Sequence, residues 1–178
     1  MWEMRLRGPH FHISHIPVFH FDIYHISTFS HFLRLHLLLN LQHMKTITYW
    51  KSGSAFDSQF EQNTVAMDDS SSSGRNDSGY SPKALLLAGL AGCTGIDMVS
   101  ILNKMKAPYE SIRIETEAEQ TTEQPRVFKE IFMIYYVKIP AAYEDKVKRA
   151  VELSLEKYCG VAAMLRKHCP IHAKVILE

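Results

Sequence analysis

The segment "LLLAGLAGCTGIDMVSIL", residues 85–102, decides the fold because it predicts a long helix that is apolar on nearly every side. It holds Cys93 among three glycines, Gly89, Gly92 and Gly95. Each glycine inside a helix costs about 0.5–1 kcal/mol relative to alanine. We therefore expect a sheet or a partner subunit to pack very closely against this helix near Cys93.

Composition limits the classes of protein to consider. The chain has 178 residues and a formal net charge of +1, which fits one domain with an appendage and argues against a nucleic-acid or anionic-membrane partner. Its three cysteines suit a reducing cytoplasm better than a secreted disulfide scaffold. The longest apolar run, residues 84–96, is shorter than the roughly 20 residues that span a membrane. We expect a cytoplasmic protein without a membrane span.

The first 43 residues differ from the rest of the chain. They contain eight of the ten histidines and neither alanine nor lysine. These histidines follow neither a helical nor a strand period. We interpret residues 1–43 as a non-native or disordered leader and Met44 as the natural start. A His-rich metal-binding tail and a targeting segment stay open as alternatives.

Periodicity from Met44 onward predicts an α+β domain of residues 44–178. Alternating side chains indicate two or three strands before Met67, and the polar stretch 68–81 is predicted to be a mobile Ser/Gly loop. A helix from Pro82 to about Lys106, a hairpin, a second helix and a final strand follow. The order is β-β-(β)-α-β-β-α-β with antiparallel pairing, and the apolar segment 131–137 is expected to be a central strand covered on both faces.

The second predicted helix carries another cysteine, Cys159. We expect this helix to be continuous, with one apolar side formed by Val147, Val151, Leu155, Tyr158 and Ala162. Cys93 and Cys159 then both face inward, either as small buried hydrophobic residues or as a redox pair. Because Cys93 lies three turns from the helix start, the helix dipole cannot activate its thiol. A cation would be needed, and the candidates are Lys83, Lys51, Arg126 and Arg75.

The third cysteine, Cys169, stands between His168 and His172 and raises the possibility of a metal site. Four ligands would also require Cys159, ten residues away on the predicted helix. We therefore expect Cys169 to end the helix and His172 to lie on the wet face of the last strand, with no metal and no cofactor.

Three segments together resemble the OsmC/Ohr family of thiol peroxidases, specifically its YhfA-like branch. They are "SPKALLLAGLAGCTGIDMVSIL", "QPRVFKEIFMIYYVK" and "RAVELSLEKYCGVAAML", and the resemblance covers Met44 to the C-terminus. It implies an OsmC-like fold and an intertwined homodimer, with long central helices packed inside antiparallel sheets. It favours the redox pair over two inert thiols.

The resemblance also implies a reaction and the role of each thiol. Cys93 would attack an organic hydroperoxide, Cys159 would resolve the product into a disulfide, and a dithiol reductant would reopen it. This implies a peroxiredoxin-like, cofactor-free enzyme of oxidative stress defence.

The family's activating arginine and glutamate have no counterpart at the expected positions. Residues 44–67 hold only Lys45 and Lys51 as basic residues, and Lys83 stands where the glutamate would fall. Arg126 is the preferred substitute activator and Lys83 the second. A non-catalytic protein of OsmC-like fold, binding a small molecule or carrying redox equivalents, is the alternative.

Overall fold

The computed structural model describes residues 44–69 and 79–178. The predicted leader, residues 1–43, lies outside the described residues, as do residues 70–78 of the predicted loop.

The first sheet is a three-stranded antiparallel meander. Its strands are β1 (Ile47–Ser52), β2 (Ala55–Phe60) and β3 (Asn63–Met67), in the order β1-β2-β3. The turn between β1 and β2 uses Gly53 at φ 54°, a left-handed conformation that glycine adopts without strain. The alternation before Met67 therefore predicted these strands correctly.

The long helix α1 (Pro82–Lys104) begins with proline at its first turn, where the missing N–H has no helical partner, and ends two residues before the predicted Lys106. One side is fully buried and consists of Leu90, Thr94, Met98, Ile101 and Leu102. The opposite side is open in the single chain, with Ile96 74% exposed. By length and composition alone α1 could cross a membrane, but the core helix of a soluble protein passes the same test.

The second sheet contains β4 (Ser111–Gln120), β5 (Phe128–Lys138) and β6 (Ile171–Leu177), in the order β4-β5-β6. β4 pairs antiparallel with β5, but β6 pairs parallel with it, so the expectation of purely antiparallel sheets was wrong here. β5 is central, as predicted. It is buried on one face only in this chain, because Tyr135 is 0% exposed whereas Phe132 is 40% exposed.

The second helical region is not the continuous helix that the apolar spacing predicted. It consists of α2 (Glu144–Leu153), a π turn (Ser154–Tyr158) and α3 (Gly160–Leu165), after a 3₁₀ turn at Ala141–Tyr143. Cys159 separates the last two with extended backbone, φ −72° and ψ 106°. The π turn adds a residue to the helical winding, so Tyr158 becomes 53% exposed rather than buried.

The described core forms where α1 packs between β4 and the segments α2, π turn and α3. A Cβ atom added at Gly95 would lie 3.1 Å from Ile114 Cδ1, so the expected close approach is real at this glycine. A Cβ added at Gly89 or Gly92 would meet nothing within 4 Å. The chain itself therefore explains one of the three glycines.

Candidate functional site

The fold brings Cys93 and Cys159 together although 66 positions separate them in the sequence. Their sulfur atoms and a carboxylate oxygen of Asp97 all lie within 4.8 Å of one another. Cys159 is 2% exposed, whereas Cys93 is only partly buried. The site is therefore a pair of free thiols, one in the core and one nearer the surface, with a carboxylate beside them.

The π turn presents Cys159 to α1. The N–H of Cys159 donates to the Ser154 carbonyl oxygen at 2.8 Å, which closes the wide turn. Its Sγ then accepts a hydrogen bond from the Ala162 N–H at 3.3 Å and caps the start of α3. π turns occur frequently at functional sites because the extra residue redirects a side chain. Here the redirected side chain is the second thiol.

The two thiols differ in their electrostatic environment. Burial raises the pKa of Cys159 to about 11, and its hydrogen bond with Cys93 acts in the same direction, while the N–H of Ala162 acts against it. At neutral pH Cys159 is therefore a protonated thiol. Since a thiolate is the attacking form of cysteine, the environment does not favour Cys159 as the attacking group.

Asp97 and Ser154 also belong to the site, and sequence reasoning did not predict a role for either. Ser154 is completely buried, and its hydroxyl lies 3.1 Å from Asp97 Oδ2 and 3.3 Å from the Thr94 carbonyl oxygen. Asp97 follows Cys93 by four residues, a spacing that puts both on one helix face, so a sequence signal existed for it. Ser154 gave no such signal because its contacts are with another helix.

A buried hydroxyl, that of Tyr135, lies on the strand side of this region. Tyr135 is 0% exposed, and burial raises the pKa of its hydroxyl to about 12. The interaction with Cys159 also raises this pKa, whereas a hydrogen bond with Thr94 lowers it. The hydroxyl is therefore a neutral group at physiological pH. It contributes polarity next to Cys159 without adding charge.

Neither of the two preferred activating cations, Arg126 and Lys83, lies at the thiols within the described chain. Lys83 Nζ lies 2.6 Å from Gln120 Oε1 at the far end of β4. Ten residues separate Lys83 from Cys93, which corresponds to about 15 Å along the helix axis. Arg126 lies in the β4–β5 connection, beyond this same end of the sheet. Lys83 and Arg126 thus share a region that is distant from the thiols along α1.

The third cysteine, Cys169, lies in different surroundings from the other two. Cys169 is 4% exposed, and burial raises the pKa of its thiol. His172 is exposed, pairs with Glu130 at 3.2 Å and stacks on Phe132, as expected for the wet face of β6. Among the described residues, the three groups close enough to hold a metal ion are Cys93, Asp97 and Cys159, not the Cys169 set.

Comparison with known proteins agrees with this α+β fold. Residues 74–174 match the family model for OsmC-like proteins. The chain is 38% identical over 91 residues to Protein YhfA of Escherichia coli strain K12, a match that covers 51% of this chain and 68% of YhfA. The chain therefore belongs to the OsmC-like family, and the resemblance to its YhfA-like branch is confirmed.

Solved structures show the same fold. A hypothetical protein from Aquifex aeolicus VF5 superimposes with a TM-score of 0.65 at 25% identity, over 77% of this chain and 98% of that one. The organic hydroperoxide resistance protein OhrB of Bacillus subtilis gives a TM-score of 0.59 at 14% identity, over 76% and 99%. The predicted OsmC-like architecture is confirmed for the single chain.

Proposed function

We propose that this protein is a cytoplasmic thiol peroxidase of oxidative stress defence that reduces organic hydroperoxides. The observation that carries the proposal is the convergence of Cys93 and Cys159, one partly exposed and one buried. Family membership supports a redox role, and a structural relative is named as an organic hydroperoxide resistance protein.

The proposed reaction has three balanced steps. The Cys93 thiolate attacks the hydroperoxide, the O–O bond breaks, and with one proton the products are a Cys93 sulfenic acid and an alcohol. The Cys159 sulfur then displaces water from that sulfenic acid and forms the disulfide, its proton leaving with the hydroxyl. A dithiol reductant gives up two electrons and two protons to restore both thiols. Because its high pKa keeps Cys159 protonated at neutral pH, the first step is assigned to Cys93.

One observation favours the competing, non-catalytic function. The charged side chain that lies beside the thiols is the carboxylate of Asp97, whereas cysteine is activated by a nearby cation. A slow thiol in a pocket would suit a protein that binds a small molecule or carries redox equivalents. The two functions differ in the rate at which Cys93 consumes peroxide.

Intact mass after one equivalent of cumene hydroperoxide tests the proposal. We expect rapid loss of about 2 Da, the mass of two hydrogen atoms, as the disulfide forms. Cys159→Ser should instead accumulate a sulfenic acid that dimedone traps, and Cys93→Ser should not react. The matched control is Cys169→Ser, which replaces a buried cysteine outside the pair and should behave as the wild type. Thiols that stay reduced at millimolar peroxide would favour the non-catalytic function.

We also propose that the chain acts as a homodimer through the open face of α1. Two apolar side chains of α1 are exposed, Leu86 by 50% and Ile96 by 74%, and Gly89 and Gly92 leave room for a close neighbour. Sedimentation should give a dimer mass for the wild type and a monomer mass for Ile96→Asp. Met164→Asp, at a 66% exposed methionine on α3, is the control and should stay dimeric.

The roles of Lys83 and Arg126 depend on that dimer. Lys83 is about 15 Å along the helix from the Cys93 of its own chain, so its amino group would have to come from the partner copy. We propose the same origin for an activating Arg126 guanidinium. Arg126→Ala and Lys83→Ala should then slow sulfenic acid formation, and unchanged peroxide rates would remove both residues from the site.

A further inference from the structure

The same three side chains can form the ligand set of a metal ion. Sγ of Cys93, an oxygen of Asp97 and Sγ of Cys159 all lie within 4.8 Å of one another. In tetrahedral zinc sites, ligand atoms about 2.0–2.3 Å from the metal lie about 3.3–3.8 Å apart. Small side-chain rotations would therefore bring these three atoms around one ion.

Two separate segments of the chain hold the three ligands. Cys93 and Asp97 are four residues apart on α1, so they project from one face one turn apart. Cys159 comes from the junction of the π turn and α3, which fixes its backbone independently. The buried hydroxyl of Ser154 lies 3.1 Å from Asp97 Oδ2. A hydrogen bond of this kind orients a carboxylate ligand and leaves its other oxygen available.

The charges of the site favour a cation. In the form that binds metals, two thiolates and one carboxylate would place three negative charges within 4.8 Å. Among the ion pairs formed by the described residues, none involves Asp97. A divalent ion would offset most of this repulsion, because opposite charges stabilise the ionised form of each ligand.

We propose that Cys93, Asp97 and Cys159 bind one Zn²⁺ ion, with a fourth coordination position open to solvent. Two soft thiolates and a carboxylate in a four-coordinate set match zinc better than magnesium or calcium, which take oxygen ligands. Binding replaces water ligands of the zinc ion with two Zn–S bonds and one Zn–O bond, and the two thiol protons leave to solvent without any change in oxidation state. The same two sulfur atoms can then either bind zinc or form the disulfide, but not both.

This exclusion adds regulation to the site, a consequence that rests on the proposed peroxidase function. Zinc-bound thiolates have their lone pairs engaged, so zinc should protect Cys93 from hydroperoxide until a chelator or a competing ligand removes the ion. The metal site itself does not depend on peroxidase activity.

Cobalt is the probe for the test, in the full chain under reducing conditions. Co²⁺ bound by thiolates gives a sulfur-to-metal charge-transfer absorption, which histidine ligands from residues 1–43 do not produce. We expect this absorption to saturate at one Co²⁺ per chain and to disappear when Zn²⁺ is added, since zinc displaces cobalt from such sites.

Four variants assign the ligands. Cys93→Ser and Cys159→Ser should each lose most of the charge-transfer absorption, and Asp97→Asn should weaken Co²⁺ binding at least tenfold. Cys169→Ser should bind as the wild type, and circular dichroism should show that all four variants fold. Absence of the band at saturating Co²⁺, its persistence in both Cys93→Ser and Cys159→Ser, or its loss in Cys169→Ser would overturn the proposal.

The two proposals can fail separately. A protein that gives the cobalt band but does not react with cumene hydroperoxide has the metal site and lacks the peroxidase. A protein that loses about 2 Da with peroxide but gives no cobalt band is a peroxidase without the metal site. If both hold, protein oxidised beforehand should bind no Co²⁺, and zinc-loaded protein should react with peroxide more slowly than metal-free protein.

Discussion

The two long faces of α1 have opposite surroundings although both are apolar. One face buries Leu90, Thr94 and Met98 completely against the rest of the chain. The other leaves Ile96 74% exposed and puts nothing within 4 Å of a Cβ atom added at Gly92. Hydropathy is similar on both faces, so it does not distinguish residues that pack within the chain from residues that the single chain leaves exposed.

The difference also separates two functions of the helix. The buried side and its edge position Cys93 and Asp97 against the π turn, and so build the site. The open side carries the small and apolar residues on which the proposed dimer depends. The four changes below test this division, from the largest expected effect to the smallest.

Leu90→Ala should cause the largest loss of stability. Leu90 is 0% exposed, and truncating a buried leucine leaves a cavity, so the free energy of unfolding should fall by about 2–5 kcal/mol. Leu86→Ala, at a 50% exposed leucine of the same helix, should cost about 1 kcal/mol or less. Urea denaturation in the Ile96→Asp background, where the chain should be monomeric and Leu86 stays exposed, measures both. Equal losses would contradict the distinction between the faces.

Ser154→Ala tests the contact between the π turn and the buried edge of α1. Removing its hydroxyl leaves the Asp97 carboxylate without the hydrogen bond at 3.1 Å, and we expect a loss of about 1–3 kcal/mol in unfolding free energy. Ser100→Ala, at an exposed serine of α1, is the control and should be nearly neutral. A neutral Ser154→Ala would mean that this contact does not hold the site together.

The buried thiol predicts a stability change at alkaline pH. The pKa of Cys159 rises from 9.0 to about 11 on folding, chiefly through burial. Between these values the unfolded chain loses a proton that the folded chain keeps, so the stabilisation is complete below pH 9 and falls as the pH rises to about 11. Urea midpoints should decline more steeply over this window for the wild type than for Cys159→Ser. Parallel declines would show that Cys159 is not the cause.

Gly92→Ala should have the smallest effect, and its sign is informative. On an open helix face alanine stabilises by about 0.5–1 kcal/mol. If a second copy packs closely there, the added methyl should instead weaken the dimer by a similar amount. We expect the second result, measured as a higher dimer dissociation constant in sedimentation. Gly160→Ala, at another glycine with nothing within 4 Å, is the control.

The closeness of Cys93 and Cys159 was predicted from the family resemblance and not from the spacing of the residues. Spacing left two interpretations open, inert buried thiols or a redox pair, because helical periodicity reports which face a residue occupies and not what lies opposite. The same limit explains the error at residues 154–162. The apolar spacing there is compatible with a continuous helix, and only the closing bond from the Cys159 N–H to the Ser154 carbonyl oxygen defines the π turn.

The sequence by itself determined the strands, the long helix and their α+β order, because alternation, helical periodicity and Pro82 act over a few neighbouring residues. The tertiary structure alone decided that β6 joins β5 in parallel, that Asp97 and Ser154 meet at the thiols, and that Lys83 bonds to Gln120. Each of these contacts joins residues about 40 to 60 positions apart, in segments that carry no local sign of one another. Their chemistry exists only once the chain has folded around α1.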